Sequence, residues 1–174
     1  MRNIFIIGMM GSWKSTVGSK LAETLGMEFI DTDDAIEEMT EMKIADIFRE
    51  FDEKRFREME TAFFVEKAKQ SGHVFSTGGG IVLSAENRKV LKENGTTFLL
   101  DAFPKTLTDR IHNTTKRPLL TDSDNIEDRL KTIWNDRSEL YINCAHHIIK
   151  TDNLEPSQVL NEIKKILEVP IADH

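Results

Sequence analysis

Gly8, Lys14 and Ser15 stand at the spacing of a phosphate-binding loop, GxxxxGK[ST], inside the stretch GMMGSWKST of residues 8–16. In such a loop backbone N–H groups surround nucleotide phosphates, the lysine reaches the outer phosphates, and the adjacent hydroxyl ligates Mg²⁺. Gly8, Gly11, Ser12, Trp13, Lys14, Ser15 and Thr16 are therefore the candidate nucleotide contacts. Trp13 occupies the place of the second glycine, where backbone and ligand approach most closely and where a side chain costs roughly 1–2 kcal/mol if the dihedrals are left-handed. The indole must swing away from the loop or take up space the nucleotide would use. The sequence leaves open an ordinary nucleotide site that tolerates the substitution and a degenerate one.

Further chemistry is spread along the chain. Asp31 and Asp33 are two apart and project the same way if the chain stays extended, which suits Mg²⁺ or substrate contacts; the alternative is a helix cap beginning near Asp34. Arg57 lies between Glu53 and Glu60 at helical spacing, as either an ion-pair ladder or a ligand contact. Arg137 shares a stripe with Ile126, Leu130, Ile133 and Tyr141, so a guanidinium sits on an otherwise apolar face and calls for an anion, preferably a ligand's. Gly78, Gly79 and Gly80 follow a strand and allow backbone to approach a carboxylate or phosphate. Lys116 and Arg117 place two cations in the polar stretch 112–125, broken by Pro118, as a closing lid over a transferring phosphoryl group requires. His146 and His147 have no metal-ligand spacing to another His or Cys and read as structural.

The elements that must position these residues alternate. Residues 3–7, 27–31, 73–77, 97–100 and 147–151 read as short strands, and helical patterns separate them, among them 85–93 and a closing helix with Val159, Ile163 and Ile166 on one face. Val17, Leu21 and Leu25 repeat at helical spacing behind the loop. The fold class expected is α/β, a parallel sheet of about five strands with helices on both faces and ligands at the carboxyl ends of the strands.

At 174 residues, 39% hydrophobic and 30% charged, the chain suits one globular domain. A net charge of −7 argues against a large nucleic-acid or anionic-membrane footprint, while leaving room for a locally basic pocket. Cys144 is the only cysteine, so no intramolecular disulfide forms, and its expected role is a small buried hydrophobe. The apolar NIFII run ends at once in the glycine loop, unlike a signal peptide, and no stretch approaches membrane-spanning length; a cytoplasmic protein is expected.

In order, GMMGSWKSTVG, FIDTDDAIE, FREME, STGGGIVL, KRPLL and RSELY followed by TD resemble the shikimate kinases across nearly the whole chain. The resemblance implies a P-loop NTPase-type sheet in one kinase domain over residues 1–174, a substrate-binding helical region around 32–60 and a lid around 112–124. It implies ATP and Mg²⁺ as cofactors, shikimate as the small-molecule partner, no nucleic acid or membrane, a monomer, and phosphorylation of the shikimate 3-hydroxyl in aromatic amino-acid biosynthesis. Carried over by residue, Lys14 and Arg117 would serve the phosphates, with Ser15 and Asp31 on Mg²⁺ and Arg110 against adenine. Asp33 would bind the shikimate hydroxyls and take the proton of the attacking one. Arg57, Arg137 and the loop Gly78, Gly79 and Gly80 would hold the shikimate carboxylate. Trp13 and Asp52 depart from the family's glycines, the first bearing on nucleotide affinity and turnover, the second on a helix start. The alternatives are another small-metabolite kinase, such as gluconate kinase, or a shikimate-binding protein of impaired catalysis.

Overall fold

The computed structural model describes residues 1–111 and 125–168. Along the chain run β1 (Asn3–Ile7), α1 (Lys14–Leu25), β2 (Glu28–Asp31), α2 (Thr32–Thr40), α3 (Ile44–Glu50), α4 (Glu53–Lys67), β3 (His73–Ser76), a 3₁₀ turn (Ile81–Leu83), α5 (Ala85–Glu93), β4 (Gly95–Asp101), α6 (Pro104–Arg110), α7 (Ile126–Cys144), β5 (His147–Lys150) and α8 (Pro156–Ile166). The strands form one sheet in the order β2-β3-β1-β4-β5, every pairing parallel. The expected α/β architecture is present.

β1 is the central strand, which explains its unbroken apolar sequence: a strand covered on both faces has no solvent side to make polar. Its side chains alternate between two cores. Phe5 and Ile7 join Phe64, Phe75 and Leu99 on one face; Ile4 and Ile6 join Val17, Leu21, Phe98, Val159 and Ile163 on the other. Phe5 meets Phe64 edge-on at 5.4 Å, the offset geometry that aromatic quadrupoles favour. Asn3 is buried but satisfied, donating to the carbonyls of Ala68 and Gln70 and accepting from the His73 N–H. A smaller cluster of Ile36, Ile47 and Phe56 holds α2, α3 and α4 together beside the sheet.

Two local expectations change. The helix after β2 begins at Thr32 rather than near Asp34, because Asp31 caps it by accepting from the N–H groups of Asp33 and Asp34. Asp33 therefore lies on a helix, and its side chain is not aligned with Asp31 by strand alternation. On α8, Val159 and Ile163 are buried as expected, whereas Ile166 is largely exposed. His146 Nδ1 accepts from the Thr97 N–H, His147 stacks on Phe98, and Cys144 is buried, all structural roles.

Candidate active site

The loop between β1 and α1 leaves the carboxyl end of the central strand and folds back on itself. Ser12 Oγ donates to the Met9 carbonyl at 2.7 Å, and Lys14 Nζ donates to the same oxygen at 2.8 Å, so the lysine lies across the loop it would share with phosphates. Gly8 has φ 147°, and a Cβ there would stand 2.5 Å from the Leu100 carbonyl oxygen; β4 presses on the loop from behind. Trp13 has φ 65° and ψ 21°, the left-handed conformation the missing glycine would adopt freely. The indole turns outward from the loop: its ring lies 3.4 Å from the centre of the Arg110 guanidinium. Arg110 is itself pinned to the Thr151 hydroxyl and carbonyl at 3.0 and 2.5 Å.

On the other side of β1 the loop meets β2 and β3. Ser15 Oγ donates to Asp31 Oδ2 and sits 3.1 Å from Ser76 Oγ. Hydroxyl and carboxylate are hard oxygens of the kind Mg²⁺ takes, one or two at a time, while keeping waters and phosphate oxygens. Among the described residues no three His, Cys, Asp or Glu side chains cluster, so a metal held wholly by protein has no cage there.

Asp33 and Glu60 face each other across Gly78. A Cβ on Gly78 would stand 2.7 Å from Asp33 Oδ1 and 2.8 Å from Glu60 Oε1. Both oxygens are buried and without a hydrogen-bond donor among the described residues. Burial, then the nearby Glu60 and Asp31, push the Asp33 carboxyl from 3.8 up to about 7, against the opposing pull of Lys14 and Arg57. Burial also raises Glu60, opposed first by Arg57, which it meets at 2.8 Å, and further by Arg137. Arg137 hydrogen-bonds the Gly79 carbonyl at 3.4 Å, and the buried Tyr141 hydroxyl donates to the same oxygen. Burial pushes the Tyr141 phenol to about 12, so it remains a donor. Among the described residues Arg137 has no ion-pair partner. The arrangement offers a phosphate loop, an adjoining carboxyl poised near neutrality, and two guanidiniums on either side of a glycine turn.

Residues 10–168 match the family model described as "Shikimate kinase". The shikimate kinase of Thermodesulfovibrio yellowstonii is 40% identical over 168 residues, covering 97% of this chain and 96% of its own. That of a Sulfurihydrogenibium species is 42% identical over 163 residues, covering 94% and 96%. The chain belongs to the shikimate kinase family. The solved shikimate kinase of Acinetobacter baumannii, in complex with shikimate, superposes with a TM-score of 0.92 at 36% identity, covering 97% of this chain and 94% of that one. The fold of this chain is thus that of the shikimate kinases, a family of nucleotide-using phosphotransferases.

Within this chain the candidate residues of the sequence fall into two groups and a remainder. Asp31, Asp33, Arg57, Gly78, Gly79, Gly80 and Arg137 gather at the ends of β2 and β3, beside Ser15. Arg110 gathers with Trp13 beyond β4, on the other side of the loop. Lys116, Arg117 and Pro118 lie outside the described residues. Three contributors escaped sequence reading. Glu60 reads as one rung of an ion-pair ladder and is instead buried at 1% exposure, which a helical charge pattern cannot signal. Tyr141 reads as the end of an apolar stripe, with nothing to mark its hydroxyl. Thr32, which accepts the Gly78 N–H at 3.0 Å and fixes the glycine turn to α2, lies within FIDTDDAIE with nothing in the sequence to mark its hydroxyl.

Proposed function

We propose that this protein catalyses ATP-dependent phosphorylation of the shikimate 3-hydroxyl, giving shikimate 3-phosphate. The observation that carries the reading is Asp33 Oδ1, a buried acceptor without a donor among the described residues, set between the phosphate loop and two arginines. Such an atom fits a substrate hydroxyl, and a carboxyl titrating at about 7 is matched to take that hydroxyl's proton near neutral pH.

The residues divide the work as phosphoryl transfer demands, through positioning and charge stabilisation rather than covalent chemistry. Arg57 and Arg137 hold the substrate carboxylate, with the Gly79 and Gly80 amides, so the ring presents one hydroxyl to Asp33. Arg57 is held in place by Glu60 and Glu53, while Arg137 donates to the Gly79 carbonyl. Lys14, with Arg117 from the segment 112–124, stabilises the negative charge that spreads over the moving phosphoryl group. Ser15 and Asp31 would hold Mg²⁺, which when bound neutralises charge on the nucleotide phosphates. Residues 32–60 form the substrate-binding region of a single kinase domain. The reading carries with it a step of aromatic amino-acid biosynthesis and a cytoplasmic location. Among the described residues no helix is long and apolar enough to cross a membrane.

The Trp13 indole stands clear of the loop interior, which supports an active phosphate site over a degenerate one. Initial rates of ADP release with shikimate, quinate and gluconate test the acceptor. Shikimate should be strongly preferred; equal or faster turnover of gluconate would assign the chain to a different acceptor.

A further inference from the structure

The phosphoryl acceptor side of this site lies at β2 and β3, where Asp31, Asp33 and the glycine turn converge. A nucleotide whose outer phosphate points there must direct its nucleoside the opposite way, past the start of α1 toward β4 and β5. Arg110 closes α6 after β4, and Thr151 follows β5; together they present a flat cation on that side, its edge fixed by two hydrogen bonds. A guanidinium held by its edge offers its face, and planar aromatic rings stack on such faces. Here the face is already covered. The Trp13 indole lies 3.4 Å from it, its ring packed against the core cluster that includes Val17, Val159 and Ile163. An indole is a fused five- and six-membered aromatic ring, the outline of a purine.

We propose that Trp13 is a built-in occupant of the nucleobase subsite: its indole takes the stacking position on Arg110 and must leave before a purine nucleotide can use it. The inference rests on the nucleotide reading of the loop and adds to it the residue that sets base affinity. The left-handed backbone at Trp13 is what makes this arrangement possible, because it preserves the loop for phosphates while sending the side chain toward the base. The consequence is a separation of effects. Phosphate recognition is left intact, and recognition of the nucleoside is opposed by the indole–guanidinium stack. Cation–π pairs of this kind span strengths equivalent to about 2- to 30-fold in a binding constant.

Calorimetric titration of ADP and of inorganic tripolyphosphate into the natural chain and into Trp13→Gly separates the possibilities. Glycine suits φ 65°, so the variant should keep the loop. ADP should bind Trp13→Gly about 2- to 30-fold more tightly, and tripolyphosphate, which has no base, should bind both forms alike. Unchanged ADP affinity would overturn the proposal. Weaker ADP binding would overturn it by making the indole a support for the base, and equal tightening of both ligands would do so by making it an obstacle to phosphates. Failure of both ligands to bind either form would instead refute the nucleotide reading of the loop, and the inference with it. A second readout uses Trp134→Phe, in which Trp13 is the one remaining tryptophan. ADP should raise its quenching by acrylamide and tripolyphosphate should not; protection of Trp13 by ADP would contradict displacement.

Discussion

The Arg57 guanidinium lies so close to Gly80 that a Cβ on that glycine would stand 2.2 Å from its central carbon. Gly80 has φ −95° and ψ 1°, a conformation open to any residue, so the glycine is there for space and not for backbone freedom. Gly80→Ala should therefore leave the fold standing and push Arg57 off its place. Shikimate KM should rise about 10- to 100-fold, the loss of one charge-assisted contact, and the melting temperature should fall as the buried Glu60 loses its partner. An unchanged KM would remove Arg57 from the carboxylate site.

Glu60 acts on the same arginine from behind, and on Asp33 as a neighbouring anion. Glu60→Gln should loosen Arg57 and raise shikimate KM, and should also make Asp33 easier to ionise. The acid limb of kcat/KM, expected at about 7 in the natural enzyme, should move to lower pH. A role confined to packing would raise KM without moving that limb.

Asp33 also leaves a signature in stability. Its carboxyl titrates at about 7 in the folded chain and at 3.8 when unfolded, so between those values the folded state holds the extra proton. Stability is then lost as pH rises through that window. Asp33→Asn abolishes the loss along with the activity. In urea titrations without nucleotide or metal, its stabilisation should grow by on the order of 2 kcal/mol from about pH 5 to about pH 8. A stabilisation independent of pH would contradict the perturbed titration.

Asp52 caps α4, accepting from the Arg55 N–H at 2.8 Å, yet has φ 130° and ψ 173°, a region that belongs to glycine. Two opposed terms meet at one residue. Asp52→Gly should lose a few tenths of a kcal/mol of capping and relieve about 1–3 kcal/mol of strain, raising stability. Asp52→Ala keeps the strain and loses about 1 kcal/mol of cap. Thermal melts should order the proteins Gly above Asp above Ala; a glycine form less stable than the alanine form would refute the strain.

The periodicities made the fold legible, because parallel strands covered on both faces must be apolar runs and the helices between them must show one apolar stripe. The glycine turn, Asp33 and Arg137 stand out in the sequence as candidate site residues for a related reason: charge and triple glycine are poorly explained by packing alone. What could not be read was direction. Asp31 and Asp33 share a strand-like spacing, but the Asp31 cap turns the chain into a helix between them. The course of the Trp13 indole depends on Arg110, 97 positions away in sequence and brought near by β4 and α6, and no local pattern encodes that meeting. Glu60 illustrates the converse, a surface-like ion pair made interior beside the Gly78 turn.

The proposed reaction transfers a phosphoryl group from ATP to one hydroxyl of shikimate. Phosphorus NMR of the protein with ATP, Mg²⁺ and shikimate reads it directly. A phosphate monoester coupled to the proton on carbon 3 of shikimate should grow in step with ADP. Release of inorganic phosphate without that ester, or no consumption of ATP at all, would contradict the account.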